Sequence, residues 1–152
     1  MTHTATSGIT LRRASARDLA GVEDLLTKTK LPRGGVDVLI DSFIVAEDDG
    51  GVMGVAGVER HGEYGLLRSV AVDPAAQGRG VGRALVERLI AESKEKGIAE
   101  LYLLTTTTEK YFPVFGFTEI SREATPVEIQ ETGEFTDLCP STATVMRRVL
   151  KT

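Results

Sequence analysis

Apolar positions along the chain follow two different periods, and each period predicts one kind of element. A short run from Ile9 to Arg12 predicts a first strand. A helix is predicted between Ser15, a candidate N-cap, and Leu31-Pro32, because apolar residues recur there at helical spacing: Leu19, Val22, Leu25 and Leu26. Residues 81–90 repeat this spacing and predict a second long helix, which Gly97 would end.

Extended apolar runs fill much of the remaining chain. Three of them predict an antiparallel meander with a tight turn at Asp48–Gly51: Phe43–Glu47, Val52–Arg60 and Tyr64–Val72. Leu101–Leu104 predicts a buried strand that runs parallel beside the third strand of the meander, because the helix between them is long enough for a crossover. Ala143–Val149 predicts a last strand, whereas residues 124–142 show no clear period. The predicted fold class is α/β (α+β), with a mixed, mostly antiparallel central sheet flanked by helices.

Length and composition fit one soluble globular domain. The chain has 152 residues, of which 41% are hydrophobic and 26% charged. We expect a single domain over residues 9–152 behind a flexible polar tail, residues 1–8. No apolar stretch is long enough to span a membrane and the first residues do not resemble a secretory signal, so a cytoplasmic protein is expected.

Charge and metal-binding residues exclude other classes. With 18 Lys and Arg against 22 Asp and Glu, the net charge of −4 argues against a nucleic-acid partner held through phosphates. One cysteine, Cys139, and two histidines, His3 and His61, make a structural zinc site improbable, so no metal is expected.

The most informative segment is a glycine-rich loop between a strand and a helix. After Val70-Ala71-Val72-Asp73-Pro74 come Gln77-Gly78-Arg79-Gly80-Val81-Gly82 and then Arg83. Glycines let backbone N–H groups turn inward, and the start of a helix adds unpaired donors and partial positive charge. Two arginines add fixed charge. A phosphate or a pyrophosphate is therefore the expected ligand.

Known phosphate-binding patterns discriminate among the possible ligands. A nucleoside triphosphatase loop requires Lys and then Ser or Thr after its last glycine, whereas Gly82 precedes Arg83-Ala84. A dinucleotide loop requires G-x-G-x-x-G, and Arg83 stands where its third glycine would fall. A loop that only shapes the entry to the helix is the remaining alternative.

These residues resemble the GNAT superfamily of acyl-CoA-dependent N-acyltransferases. Gln77, Gly80 and Gly82 match its Q/R-x-x-G-x-G/A signature, and Phe112–Phe117 resembles its aromatic helix ending in Gly-Phe. The order of the predicted elements also matches over nearly the whole chain. The resemblance implies a GNAT fold in which a splayed strand pair admits the cofactor.

The resemblance also implies acetyl-CoA as the donor and assigns its contacts. Backbone groups of Val70, Ala71 and Val72 would hold the thioester and pantetheine arm. Thr106 or Thr107 would stand where many members place an asparagine that contacts the cofactor. The pyrophosphate would lie against one continuous segment, formed by Gln77, Gly78, Arg79, Gly80, Val81, Gly82 and Arg83.

A narrower resemblance concerns the acceptor. Leu103–Thr107 and the later Glu134–Pro140 resemble the N-acetyltransferases associated with arsenic-resistance operons. That resemblance implies acetylation of a small primary amine, either amino-acid-like or arsenical.

The catalytic acid of the family is not obvious in this chain. Many members place a tyrosine four residues before the glycine of the Gly-Phe pair, and here that position is Phe112. Tyr111 is one residue earlier, which is about 100° away on a helix. A thiol of pKa about 8.5 is a fair leaving group without an acid, so we expect direct attack of the amine, with the amide of Val70 as an oxyanion donor.

Other candidates each have an ordinary structural alternative. Glu59, His61 and Glu63 would supply a base acting through water, or only form a solvated turn. Arg68 would clamp an acceptor carboxylate, with Phe112 and Cys139 also near the acceptor. An ordinary surface ion pair is the alternative for Arg68, and burial as a small apolar residue is the alternative for Cys139. Phe112, Phe115 and Phe117 are expected mainly in the core, and Phe112 would also line the channel of the pantetheine arm.

The sequence thus predicts an acetyl-CoA-dependent N-acetyltransferase acting on a small-molecule amine. Two rivals remain: a CoA-binding sensor or scaffold without turnover, which the Phe112 departure favours, and an acetyltransferase of protein N-termini or lysines. No nucleic-acid or membrane partner is expected, and a homodimer is possible because such folds often pair through late strands.

Overall fold

The computed structural model describes residues 8–31, 33–49, 51–105, 111–133, 135 and 143–150. Within these ranges seven strands form one sheet in the order β1-β2-β3-β4-β5-β7-β6. Their bounds are β1 Thr10–Arg13, β2 Phe43–Asp48, β3 Gly51–His61, β4 Tyr64–Val72, β5 Glu100–Thr105, β6 Thr118–Ile120 and β7 Thr144–Val149. β4 and β5 run parallel, whereas the β1–β2, β2–β3, β5–β7 and β6–β7 pairs are antiparallel. The predicted mixed, mostly antiparallel sheet is confirmed.

Four α-helices occur in the described ranges. They are α1 Leu19–Lys28, α2 Val36–Leu39, α3 Val81–Glu95 and α4 Val127–Gln130. Five 3₁₀ turns accompany them, at Ala16–Asp18, Ile40–Ser42, Pro74–Ala76, Phe112–Phe115 and Arg122–Ala124. The two long helices, α1 and α3, are those that the apolar spacing predicts.

Helix α1 ends earlier than Leu31-Pro32, where the sequence predicts its stop. Lys30 adopts a left-handed conformation with φ of 63°. Its N–H donates to the carbonyl of Thr27 at 3.1 Å, and the N–H of Leu31 donates to the carbonyl of Leu26 at 2.8 Å. This pair of bonds is the Schellman motif, which satisfies the last carbonyls of a helix and usually has glycine at the left-handed position.

The chain divides into two compact units. The first contains the chain up to Gly57 together with Ser69–Leu89. Its core joins α1, α2 and the first strands through ten buried side chains: Ala14, Val22, Leu25, Leu26, Val36, Ile40, Phe43, Val45, Val55 and Ala71. The apolar stripe of α1 faces this core, as its helical spacing predicts.

A charge network at the edge of the first unit connects β1, β2 and the turn before α1. Arg12 donates two hydrogen bonds to the carboxylate of Asp18, at 2.8 and 2.9 Å, and two to that of Glu47, at 2.8 and 3.1 Å. Asp18 also accepts from the N–H of Ser15 at 2.8 Å. These bonds to Arg12 hold the pKa of Asp18 well below its ordinary value, and they lower the pKa of Glu47 as well.

The second unit contains Val58–Arg68 and the chain from Ile90 onward. Leu66, Tyr102 and Ile129 form a buried cluster, against which further side chains pack: Tyr64, Leu104, Ile120 and Phe135. Ile129 and Phe135 belong to residues 124–142, which show no clear period in the sequence, and these two side chains cover part of the sheet. The predicted single domain over residues 9–152 stays a prediction, and residues 1–7 lie outside the described ranges.

Candidate functional site

The glycine-rich segment forms a left-handed turn that leads into α3. Gly78 and Gly80 have φ of 87° and 79°, a backbone conformation that favours glycine. The first helical hydrogen bond runs from Ala84 N–H to the Gly80 carbonyl at 3.0 Å, so the amides of residues 81–83 precede it. Gly82 is therefore the second residue of the helix and not part of the loop. The arrangement provides the donors that an anion requires at a helix start.

The first turns of α3 pack against β3. Val81 is 1% exposed and Leu85 is fully buried. A Cβ placed on Gly54 would lie 2.7 Å from Cγ1 of Val81 and 3.0 Å from Cδ1 of Leu85. Real Cβ atoms do not approach so closely, so the absence of a side chain at Gly54 lets the helix start pack on the strand.

Hydrogen bonds and an ion pair also restrain Asp73, the residue that follows β4 and precedes the loop. Asp73 accepts from the N–H of Ala75 at 3.0 Å and pairs with Lys28 Nζ of α1 at 2.9 Å. These interactions, the Ala75 bond foremost, lower the pKa of the Asp73 carboxyl. The N–H of Asp73 donates to the carbonyl of Met53 at 2.8 Å. The loop thus leaves β4 from an anchored residue.

The two arginines of this segment are partly exposed and weakly restrained. Arg79 Nη1 lies 3.6 Å from Asp48 Oδ2, and Arg83 Nε lies 3.1 Å from Glu87 Oε2 one turn further along α3. Exposed ion pairs of this kind are worth little, so each guanidinium is available to exchange its carboxylate for a phosphate. Gln77 is exposed as well.

Strand β4 pairs with β5 only at its beginning. The ladder consists of Tyr64↔Glu100, Gly65↔Leu101 and Leu66↔Tyr102, although β4 continues to Val72 and β5 to Thr105. The predicted parallel crossover beside the third strand of the meander is confirmed, and the paired residues lie at the start of β4. The short ladder agrees with the splayed strand pair that the family resemblance implies.

Ser69 interrupts the regular alternation of β4. Its φ is 59°, in the left-handed region that residues other than glycine rarely adopt. Because side chains alternate only along regular strand, the spacing of Arg68 and Val70 in the sequence does not by itself place them on one face. Nothing in the sequence marks Ser69, so this strained position immediately before Val70 was missed.

The base candidates form a connected chain of charges on neighbouring strands β3 and β4. Glu59 Oε2 lies 2.7 Å from His61 Nε2, and Glu59 Oε1 lies 3.2 Å from Arg68 Nη1. The side chains of Arg68, Glu59 and His61 are 2%, 13% and 31% exposed. The solvated-turn alternative is therefore wrong for Glu59, and the Arg68 ion pair lies in the interior instead of at the surface. Glu63 is exposed in the turn.

The aromatic segment is a single 3₁₀ turn. Pro113 lies near its beginning, and Gly116 ends it with φ of 86°. Phe112, Phe115 and Phe117 are 6%, 6% and 1% exposed, so their predicted core role is confirmed. Tyr111 precedes the turn, is 38% exposed, and packs edge-on against Phe112 and Phe115 with ring centroids 5.2 Å apart. Tyr111 and Phe112 thus differ in environment, as the angular argument predicts.

Three predicted site residues, Thr106, Thr107 and Cys139, lie outside the described residues. Among the residues that are described, no group of three or more His, Cys, Asp and Glu side chains is arranged to hold a metal ion. No helix in the described part of the chain is long and apolar enough to cross a membrane.

Comparison with known proteins supports the family resemblance that the glycine-rich segment suggests. A family model described as an acetyltransferase (GNAT) domain matches residues 40–119. The amino-acid acetyltransferase of Mycobacterium tuberculosis is 33% identical over 141 residues, which cover 86% of this chain and 78% of that protein.

Two solved structures share the fold. N-acetylglutamate synthase from Neisseria gonorrhoeae, complexed with coenzyme A and L-arginine, matches with a TM-score of 0.78 and 25% identity over 93% of this chain. The chain spans only 33% of that synthase. A Mycobacterium tuberculosis protein in complex with CoA matches with a TM-score of 0.78 and 26% identity, covering 92% of this chain and 98% of that one. In these comparisons nothing points to arsenic resistance.

Proposed function

Because the chain belongs to the GNAT acetyltransferase family, we propose that it transfers the acetyl group of acetyl-CoA to the α-amine of a free amino acid. Family membership confirms the enzyme class and the acetyl-CoA donor that the sequence predicts. The choice of acceptor is the proposal. It rests on one observation, the 33% identity with a protein named amino-acid acetyltransferase over 78% of that protein's length.

The donor would be held by the segment from Val70 to Arg83. With Gly78 and Gly80 in the left-handed region, the amides of the first turn of α3 would face the anion, and a diphosphate would suit both these donors and the charges of Arg79 and Arg83. Backbone groups of Val70, Ala71 and Val72 would lie along the pantetheine arm, which would pair with the strand as an additional strand does.

Transfer would proceed by direct attack of the neutral amine on the thioester. The amide of Val70, which follows the left-handed Ser69, is the proposed oxyanion donor. A thiolate with a pKa of about 8.5 leaves without obligatory protonation, which fits a chain with phenylalanine at the family's usual tyrosine position. Orientation and oxyanion stabilisation would then supply most of the acceleration.

A coupled thiol-release assay tests the acceptor. The purified chain is incubated with acetyl-CoA and, separately, with each amino acid, with matched peptides that carry the same N-terminal residue, and with lysine peptides. We expect CoA release with one or a few free amino acids, at a kcat/KM at least tenfold above that for the matched peptides. Faster acetylation of the peptides would overturn the acceptor proposal, and CoA binding without release on any amine would favour the sensor.

The same assay tests whether the acceptor is an arsenical compound, as the narrower sequence resemblance implies. Arsenical and phosphinic analogues of the preferred amino acid are added to it. Preference for such an analogue over every amino acid would replace the amino-acid proposal with the narrower one. A homodimer and a cytoplasmic location remain predictions, which gel filtration and cell fractionation test.

A further inference from the structure

Both ends of the glycine-rich loop contact β3, at two consecutive residues. At the entry, the N–H of Asp73 donates to the carbonyl of Met53 at 2.8 Å. At the exit, Val81 packs so closely on Gly54 that a Cβ there would lie 2.7 Å from Val81 Cγ1. All four residues belong to the first unit. Residues 74–80 therefore run between two fixed points, and their path decides where the loop amides lie relative to the start of α3.

The side chain of Asp73 directs the first step of that path. Asp73 is the N-cap of the 3₁₀ turn Pro74–Ala76: its Oδ1 accepts from the N–H of Ala75 at 3.0 Å, and its carbonyl accepts from the N–H of Ala76 at 2.8 Å. A bond from a backbone N–H to a carboxylate is charge-assisted and stronger than a neutral one. Ala76 is 4% exposed, so the turn is packed against the interior. The cap and this burial together set the direction in which the chain reaches Gly78.

The second carboxylate oxygen of Asp73 has a different kind of partner. Oδ2 pairs with Lys28 Nζ of α1 at 2.9 Å, and the side chains of Asp73 and Lys28 are 26% and 55% exposed. An ion pair this exposed contributes little, because solvent screens it. The bond from Ala75 is also the first cause of the lowered pKa of the Asp73 carboxyl, ahead of Lys28. The cap, and not the ion pair, is therefore the interaction that we expect to order the loop.

We propose that Asp73 is a positioning residue for the donor, because its carboxylate cap holds residues 74–80 in the conformation that binds the diphosphate. The proposal rests on the donor site proposed above. A loop that is ordered before binding loses less conformational freedom on binding. Without the cap, only a fraction of the molecules hold the loop in the binding conformation, and the apparent dissociation constant rises as the inverse of that fraction. Asp73 thus acts on donor affinity and not on the transfer step.

Two substitutions of Asp73 separate the cap from the ion pair. Asp73→Asn keeps an oxygen that accepts from the N–H of Ala75 and removes the charge that pairs with Lys28, whereas Asp73→Ala removes both. We expect Asp73→Ala to weaken CoA binding about tenfold, which is the size of effect that the loss of a capping bond produces. Asp73→Asn should stay within about threefold of the wild type, and so should Lys28→Gln, which leaves the cap intact.

Ser121→Ala is the matched control. Ser121 is the N-cap of another 3₁₀ turn, Arg122–Ala124, and its hydroxyl accepts from the N–H of Ala124 at 3.2 Å. Its loss should lower stability without changing CoA affinity. Calorimetric titration with CoA and with pantetheine, which lacks the diphosphate, measures binding, and hydrogen exchange of the free protein measures the order of the loop. Asp73→Ala should lose affinity for CoA but not for pantetheine, and the amides of residues 75–81 should exchange faster than in the wild type.

The outcomes separate the positioning role from the function on which it rests. Wild-type CoA affinity in folded Asp73→Ala, or an equal loss for CoA and pantetheine, would overturn the positioning role. An equal loss of CoA affinity in Asp73→Asn and Asp73→Ala would overturn the cap as its cause. A wild type that binds CoA but acetylates no amino acid would overturn the acceptor proposal alone, since these measurements need no acceptor. A wild type that does not bind CoA would overturn the donor site and the positioning role together.

Discussion

Gly54 of β3 lies directly against Val81, the first residue of α3, with room for a hydrogen but not for a methyl group. A Cβ on Gly54 would lie 2.7 Å from Val81 Cγ1. Gly54→Ala should therefore displace the start of the helix and with it the amides of the glycine-rich loop. We expect a loss of about 1–3 kcal/mol in the free energy of unfolding, together with weaker binding of CoA.

A matched glycine separates this effect from a general effect of alanine. Gly21 lies in α1, and a Cβ there would meet nothing within 4 Å. Gly21→Ala should raise stability by about 0.5–1 kcal/mol and leave CoA affinity unchanged, because alanine favours the helix. Chemical denaturation and calorimetric titration with CoA measure both quantities. Wild-type CoA affinity in Gly54→Ala would show that the strand does not position the loop.

Local patterns in the sequence explain why so much of the first unit could be predicted. The spacing of Leu19, Val22 and Leu25 specifies α1, and the turn at Asp48–Gly51 specifies the β2–β3 pair, since each depends on residues close together in the chain. The glycine-rich segment could be located for the same reason, because its glycines and arginines lie within a few residues of one another in the chain.

Long-range contacts explain what could not be predicted. The position of β7 between β5 and β6 depends on pairs such as Leu101↔Arg148, which no local period encodes. Glu59 looks like part of a solvated turn until the neighbouring strand brings Arg68 against it, nine positions along the chain. The left-handed Ser69 also lacks a signal, since serine does not require that conformation.

Lys30 offers a direct test of the Schellman motif at the end of α1. A side chain is strained at its φ of 63°, whereas glycine is not. Lys30→Gly should stabilise the protein by about 0.5–1 kcal/mol. Lys94→Gly, an exposed position inside α3, should destabilise it by about 1 kcal/mol. Thermal unfolding should show a raised stability for Lys30→Gly and a lowered stability for Lys94→Gly. A loss of stability in both variants would show that the left-handed conformation of Lys30 does not strain the protein.

Acid should weaken the Arg12 network in a defined direction. The pKa of Asp18 is lowered in the folded state, so its contribution is present above the unfolded value, about 3.9, and is lost as the pH falls below it. Asp18→Asn should cost about 2 kcal/mol at pH 7, and this difference should shrink between pH 4 and pH 2. Urea unfolding across that range measures it, and a constant difference would mean that charge is not the cause.

Tyr111 should be dispensable for the chemical step. It precedes the 3₁₀ turn and is partly exposed. The resemblance in the sequence implies that Phe112, and not Tyr111, stands at the family's usual acid position. Tyr111→Phe keeps the ring packing on Phe115 and removes only the hydroxyl. We expect less than a tenfold change in kcat, because the thiolate leaves without an acid. A larger drop in a folded variant, as judged by circular dichroism, would restore tyrosine as the acid.

The proposed donor site depends most on contact between the glycine-rich segment and a diphosphate. Isothermal titration of CoA and of pantetheine, which lacks the diphosphate, tests this contact in the wild type and in the variant with Arg79→Gln and Arg83→Gln. Glu87→Gln, which removes the carboxylate paired with Arg83, is the control and should bind CoA at least as well as the wild type. The double variant should lose about tenfold or more in CoA affinity, about 1.4 kcal/mol, with pantetheine affinity unchanged. Unchanged CoA affinity, or an equal loss for both ligands, would contradict the account.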